Sequence, residues 1–213
     1  RSASQPTSIR TFLGHQHSVY SVAWNVITPN TFASASGDLT LKVVSLSFFQ
    51  SLASPQVWDD RHPAAVMSWV AHQNEVLCVD WCKYNEFLLV SGSVDKQLHV
   101  WEHDRQTNIC INSQVTILHS PHPKDIRSLG HRYAVKRCLF SPHSPDLVLS
   151  CSYDMSVRLW DLSQEVHSQQ HHRKWEHHSE FVSGIDFSNH EEGRVVSVGW
   201  DEKLQTWNVN APN

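Results

Sequence analysis

The stretch Ser150-Cys151-Ser152-Tyr153-Asp154-Met155-Ser156-Val157-Arg158-Leu159-Trp160-Asp161 decides the fold, because its spacing recurs along the chain. Asp154 stands four residues after Ser150, six before Trp160 and twenty-three after His131. The same intervals set out His15, Ser34, Asp38 and Val44, then His72, Ser91, Asp95 and Trp101, then His178, Ser197, Asp201 and Trp207. Nine residues after each histidine comes an aromatic: Trp24, Trp81, Phe140 or Phe187. Intervals held constant over four copies mark an internal repeat. Inside the repeats apolar and polar residues alternate, as in Val19-Tyr20-Ser21-Val22-Ala23-Trp24 and Val157-Arg158-Leu159-Trp160. That period of two is a strand, and three strands fit between each histidine and the end of its unit.

A Gly-His-like start, a Trp-Asp-like end and strands between them resemble the WD propeller repeat. The starts read Gly14-His15, Ala71-His72, Gly130-His131 and His177-His178; the ends read Val44-Ser45, Trp101-Glu102, Trp160-Asp161 and Trp207-Asn208. The expected fold is all-β, one WD40 β-propeller region over residues 1–213 with repeats at about 14–45, 71–102, 130–161 and 177–208. Within each unit the aspartate is expected to accept from the histidine ring, with the serine hydroxyl and the tryptophan N–H orienting it. Buried polar groups are normally satisfied in this way, so His15, His72, His131 and His178 read as structural, not catalytic. Repeat one has Val44 in place of tryptophan, lacks the indole donor, and should be the loosest blade.

At 213 residues, with 40% hydrophobic residues and nine tryptophans, the chain can bury a sizeable core. A net charge of −4 argues against a binder of nucleic-acid phosphates. No apolar run reaches a membrane span, so no membrane insertion is expected, and no signal peptide opens the sequence, although Arg1 is not a natural start. Five cysteines without framework spacing suit a reducing cytosol. Cys78 and Cys82 lie four apart and histidines pair at His171-His172 and His177-His178, yet no metal-binding module accompanies them, so no metal and no cofactor is expected. No nucleophile elbow or phosphate loop appears, and the chain is not read as an enzyme.

The stretches after Val44 and after Trp101 exceed an outer fourth strand. Leu52-Ala53-Ser54-Pro55 and His119-Ser120-Pro121-His122-Pro123 are expected to be exposed loop, and His171-His172-Arg173-Lys174 an outer strand or loop. Ile9-Arg10-Thr11-Phe12-Leu13 reads as an outer strand with no blade before it, and only six residues follow Trp207. Either the ends clasp into a four-bladed ring, or these are the later blades of a larger propeller.

Asp80-Trp81-Cys82-Lys83-Tyr84-Asn85-Glu86, with Ala71-His72-Gln73 ahead of it, resembles the peroxisomal targeting signal type 2 receptor family, WD-repeat peroxins. Supporting the likeness are Phe32-Ala33-Ser34-Ala35-Ser36-Gly37-Asp38, Ser150-Cys151-Ser152-Tyr153-Asp154 with Val157-Arg158, and Glu176-His177-His178-Ser179-Glu180-Phe181 with Asp186-Phe187-Ser188. The Asp80–Glu86 and Glu176–Phe181 strings discriminate, since the fold itself does not require them. The resemblance implies the C-terminal repeats of a propeller of about seven blades and a soluble import receptor shuttling between cytosol and peroxisome matrix. Such a receptor binds cargo proteins through an N-terminal amphipathic helix carrying an Arg-Leu pair and a His-Leu pair, works with a co-receptor peroxin, and needs no cofactor. The alternative is a WD scaffold or substrate adaptor of a ubiquitin-ligase or chromatin complex.

The repeat also indicates which residues meet a ligand. Positions three and five after the histidine, and the one before the aspartate, are expected at the rim of one face: Ser18, Tyr20 and Gly37; Glu75, Leu77 and Val94; Ala134, Lys136 and Tyr153; Phe181, Ser183 and Trp200. The cargo-binding candidates are Glu75, Tyr20, Leu77, Val94, Lys136, Tyr153, Phe181 and Trp200, with Glu75 reading the signal's basic residue and the aromatics its apolar face.

Overall fold

A computed structural model describes residues 11–45, 67–103, 110–117, 130–163 and 172–211. The two proline-bearing linker stretches and residues 9–10 lie outside the described residues. Four antiparallel sheets follow one another along the chain. Blade 1 contains β1 (Val19–Trp24), β2 (Thr31–Ser36), β3 (Thr40–Ser45) and β4 (Met67–Val70). Blade 2 contains β5 (Val76–Trp81), β6 (Leu88–Ser93), β7 (Leu98–His103) and β8 (Cys110–Ile117). Blade 3 contains β9 (Val135–Phe140), β10 (Leu147–Ser152), β11 (Val157–Asp161) and β12 (His172–Trp175). Blade 4 contains β13 (Val182–Phe187), β14 (Arg194–Gly199) and β15 (Leu204–Asn208).

Each repeat therefore supplies three strands after its histidine, and the outer strand of blades 1 to 3 comes from the chain just past the repeat. The histidine-rich segment forms such an outer strand, Trp160 pairing with His172 and Val157 with Trp175. Thr11 to Leu13 form no strand, contrary to expectation.

The blades stack through one recurring joint. In blade 2 the residues four, seven and nine after the histidine, Val76, Val79 and Trp81, are buried with Ala33, Ala35, Leu41 and Val43 of blade 1. Their counterparts Val135, Cys138 and Phe140 pack with Val90, Leu98 and Val100, and Val182, Ile185 and Phe187 with Leu149, Cys151, Val157 and Leu159. Gly92 in β6 permits the second joint to close: a Cβ there would lie 2.5 Å from Val135 Cγ1 and 2.8 Å from Cys78 Sγ. The corresponding residues of blade 1, Val19, Val22 and Trp24, are 53%, 63% and 58% exposed. Leu204, on the opposite end of the row, is 70% exposed. Among the described residues the first and last blades do not close on each other, and the four blades form an open arc.

The Asp80–Glu86 string has a structural task that its sequence does not announce. Asp80 takes the Phe140 backbone N–H at 2.9 Å and the Lys83 ammonium at 2.7 Å. Trp81 Nε1–H donates to the Ala23 carbonyl at 3.1 Å, and the Tyr84 hydroxyl donates to the Pro142 carbonyl at 2.7 Å. The Glu86 carbonyl accepts from Asn25 Nδ2 at 3.0 Å, and its carboxylate from the Thr28 hydroxyl. The string staples blade 2 to both neighbours at the end of the blades opposite the aspartate turns. It is not free of the fold, as the sequence suggested, because hydrogen-bond partners about sixty residues away depend on it.

Candidate functional site

The site is built on four aspartate turns. In blade 3, His131 Nδ1–H donates to Asp154 Oδ2 at 3.0 Å, the Ser150 hydroxyl lies 2.7 Å from His131 Nε2, and Trp160 Nε1–H donates to Ser150 Oγ at 2.8 Å. Blade 2 repeats this with His72 to Asp95 at 3.0 Å, Ser91 to His72 at 2.8 Å and Trp101 to Ser91 at 2.8 Å. His15 meets Asp38 at 2.9 Å and Ser34 at 2.8 Å, and His178 meets Asp201 at 2.9 Å and Ser197 at 2.7 Å.

One member departs from expectation. The Trp207 indole N–H is buried without a hydrogen-bond partner, so it does not reach Ser197. His177, in the place of the small residue of the other repeats, puts its ring edge-on at 5.1 Å from that indole, and Trp175 lies at 5.7 Å on the ring as well. Trp175 has a counterpart beside Trp101 of blade 2, Trp69 at 5.8 Å, so His177 is the ring that sets blade 4 apart.

Each aspartate also takes the backbone N–H two residues on, from Thr40, Gln97, Ser156 or Lys203. The residue between sits in the left-handed region: Leu39 (φ 69), Lys96 (φ 73), Met155 (φ 66) and Glu202 (φ 63). The carboxylate's local bonds hold non-glycine residues in a conformation they otherwise avoid.

Burial raises the carboxyl pKa of these aspartates, but hydrogen bonds outweigh it. Thr40, Gln16 N–H and His15 hold Asp38 below the ordinary range, and His72, His131 and His178 do the same for Asp95, Asp154 and Asp201. His131 is lowered because its burial exceeds the pull of Asp154. Groups whose folded pKa is depressed leave the unfolded chain to take up protons first. Their stabilisation is full above the unfolded value and is lost as pH falls through it toward the folded one. Urea midpoints are expected to start falling below about pH 6.5, where His131 enters, and more steeply below about pH 4, where the aspartates do. A midpoint that rises between pH 6.5 and 5 would contradict the neutral His131.

The rim follows from these turns. The innermost strand of each blade skips one residue against its partner: Val19 pairs with Ser36 and Ser21 with Ala35, leaving Tyr20 unpaired. Leu77, Lys136 and Ser183 are skipped in the same way. Such a bulge turns the extra side chain out of the ladder. The residue before each aspartate then bonds back to the third residue after the histidine: Gly37 N–H to Ser18 O at 2.9 Å, Val94 to Glu75 at 3.0 Å, Tyr153 to Ala134 at 3.2 Å and Trp200 to Phe181 at 2.9 Å. The three positions singled out in the repeat thus meet at one end of every blade.

Two groups form there. The Tyr20 hydroxyl donates to Glu75 Oε1 at 3.2 Å across blades 1 and 2, which pushes the Tyr20 pKa up. Gly37 floors this pair: a Cβ there would meet Glu75 Oε1 at 3.2 Å, the Tyr20 ring at 3.3 Å and His17 Cβ at 3.4 Å. His17 is thus a neighbour that the three-position rule misses. Across blades 3 and 4, Tyr153, Phe181 and Trp200 cluster with ring centroids 4.9 Å (Tyr153–Phe181), 5.2 Å (Phe181–Trp200) and 6.3 Å (Tyr153–Trp200) apart, and Trp200 is 63% exposed. Leu77, Val94 and Lys136 are half-buried and join neither group. Among the described residues Lys136 has no carboxylate in ion-pair range.

A family model described as WD domain, G-beta repeat, matches residues 6–45, 64–102 and 123–161. The peroxisomal targeting signal 2 receptor of Komagataella phaffii is 29% identical over 209 residues, covering 90% of this chain and 50% of that protein. That of Schizosaccharomyces pombe is 29% identical over 206 residues, covering 96% of this chain and 56% of its own length. Peroxisome biogenesis protein 7 of Arabidopsis thaliana is 41% identical over 78 residues, 37% of this chain and 24% of that one. The chain spans about half the length of the first two relatives.

Proposed function

The chain belongs to the WD-repeat family, and from that premise we propose that it binds the N-terminal type 2 peroxisomal targeting signal of cargo proteins and delivers them, with an import co-receptor, from the cytosol to the peroxisome matrix. The names of its relatives support the substrate class. The observation that carries the reading is the two-sided rim: a carboxylate at Glu75, steadied by Tyr20, and an aromatic platform of Tyr153, Phe181 and Trp200. An amphipathic helix with basic and leucine residues is the ligand such a surface fits. Its leucines would bury against the platform, while Glu75 would read a basic side chain; Leu77 and Val94 would extend the apolar track, and Lys136 would disfavour a helix laid in the wrong sense. The work is binding, shape and charge reading charge and shape, with no bond made or broken.

An exposed charge pair contributes little net affinity, so the aromatics carry most of the binding and Glu75 mostly the choice of ligand. Fluorescence anisotropy of a labelled signal helix, titrated with the chain and co-receptor, checks this against a copy whose Arg and His are replaced by Ala. Trp200→Ala is expected to weaken binding by about thirtyfold, the effect of an interface anchor. Glu75→Ala is expected to cost roughly three- to tenfold and to narrow the gap between the two peptides. Equal binding of both peptides by the unaltered chain would remove the receptor reading.

A further inference from the structure

The joint between blades 2 and 3 pairs two thiols. Cys78 on β5 and Cys138 on β9 face each other across it, with their sulfurs 3.2 Å apart. In the repeat Cys78 is the sixth residue after its histidine and Cys138 the seventh after the next one. The same two places hold Ser21 and Val79 where blade 1 meets blade 2, and Arg137 and Ile185 where blade 3 meets blade 4. Both cysteines are buried. Gly92 makes room for them, since a Cβ there would stand 2.8 Å from the Cys78 sulfur. The neighbouring thiols are turned elsewhere. Cys151 packs on the other face of blade 3, in the cluster shared with blade 4, and the Cys82 sulfur lies 3.8 Å from the Pro145 carbonyl. A disulfide holds its sulfurs about 2.05 Å apart, so Cys78 and Cys138 have roughly 1.2 Å to close.

We propose that Cys78 and Cys138 are a reversible redox pair, which hydrogen peroxide converts to a disulfide that locks blade 2 to blade 3. A reducing environment keeps the dithiol, and the pair then serves as packing. Burial pushes the Cys138 thiol well above its ordinary pKa, and a protonated thiol does not attack a peroxide. Reaction therefore waits for the joint to open. The first cysteine to reach water loses its proton, and its thiolate attacks one peroxide oxygen. An S–O bond forms as the O–O bond breaks, and the departing hydroxide takes up a proton as water. The thiolate of the second cysteine then attacks the sulfur of that sulfenic acid; the S–S bond forms, and the hydroxide expelled takes up the second proton. Two thiols are oxidised by two electrons in all, and one peroxide is reduced to two waters. Sixty residues separate the cysteines, and a crosslink across so long a loop constrains the unfolded chain strongly. Cys78 follows Leu77 and Cys138 stands two residues after Lys136, so the bridge would tie the blade that carries Glu75 to the one that carries Tyr153 just beneath the rim. The lock does not depend on what the rim binds.

The test is treatment of the whole chain with hydrogen peroxide at neutral pH, removal of the excess, blocking of free thiols with iodoacetamide, and mass spectrometry of chymotryptic peptides. Cleavage after Trp81 and after Phe140 separates Cys78 from Cys82 and Cys138 from Cys151. The expected product is a Cys78–Cys138 peptide pair that dithiothreitol splits. The urea midpoint of the oxidised chain should rise by about 1 M and return on reduction. Cys151→Ala should keep the bridge, and Cys138→Ala should abolish both the bridge and the rise. If Cys138→Ala does not fold, the peptide map of the unaltered chain decides. Thiols still free after a day of treatment overturn the proposal. So do a bridge between other cysteines or between two chains, sulfinic acid at either residue without the crosslink, and a bridged chain whose midpoint falls.

Discussion

Trp81→Ala is expected to destabilise the chain by about 3–5 kcal/mol, the ordinary cost of emptying a buried tryptophan site. For a chain of this length that lowers the thermal midpoint by roughly 10 °C. Trp24→Ala, at the same place in the preceding repeat, is expected to change stability by about 0.5 kcal/mol or less, as exposed sites do. The sequence treats the two tryptophans alike, nine residues after His72 and nine after His15. The structure does not. Trp81 is fully buried in the joint with blade 1, and its N–H donates to the Ala23 carbonyl at 3.1 Å, whereas Trp24 is on the outer face. In stacked repeats the joint between neighbours carries much of the stability, so a hole there loosens both blades. Urea unfolding followed by circular dichroism measures both variants. If Trp24→Ala costs as much as Trp81→Ala, the outer face of blade 1 is covered in solution and the open arc is not the state that unfolds.

That comparison also marks how far the sequence could be read. The register of histidine, serine, aspartate and tryptophan foretells the turns and the strands because each interval is a property of one repeat, and one repeat is local. The rim positions are legible for the same reason, but the bulge that turns Tyr20, Leu77, Lys136 and Ser183 outward is a backbone event, and these four side chains share no chemistry that could signal it. Contacts between blades are not legible at all. Asp80 finds its acceptor role at Phe140 N–H and Tyr84 its partner at the Pro142 carbonyl, and nothing in the spacing ties those residues together. The missing bond of Trp207 was hidden likewise: the tryptophan is in register, yet its buried N–H has no partner, and the His177 ring lies 5.1 Å from the indole where the other repeats have a small residue. Function divides in the same way. The Asp80–Glu86 string points to the family, but its side chains join blades, and the residues that could meet a ligand are the unremarkable ones at the rim.

Asp154→Ala is expected to cost about 3–5 kcal/mol, the range for removing one partner of a buried ion pair. Asp154 serves more groups than its counterparts in blades 2 and 4. It accepts from His131, from the backbone N–H groups of Arg132 and Ser156 and from the Ser156 hydroxyl at 2.5 Å, and it stands 3.7 Å from the Arg158 guanidinium. The side chains of Asp154 and Arg158 are 3% and 4% exposed, so water cannot take over for the lost carboxylate. Asp201→Ala is expected to cost less. Lys203 stands where Ser156 stands in blade 3 and gives its backbone N–H and an exposed ammonium 3.8 Å away, which water screens, and Gly199 replaces the serine that braces the other turns, as Ser152 does through the Tyr133 carbonyl and the Asp154 N–H. Asp154→Asn separates the causes, since it keeps one acceptor oxygen but removes the charge opposite Arg158. A loss close to that of alanine would put the weight on the ion pair; a small loss would put it on the hydrogen bonds of the turn. Chemical denaturation of all three variants orders them, and the order has a further consequence. If Asp154→Ala and Asp201→Ala lose the same stability, unequal wiring within the blades does not set their strength, and the joints between blades must. If blade 4 proves the cheaper to open, then the aromatic platform spans a strong blade and a weak one, and Phe181 and Trp200 are the half of it that can yield to a ligand.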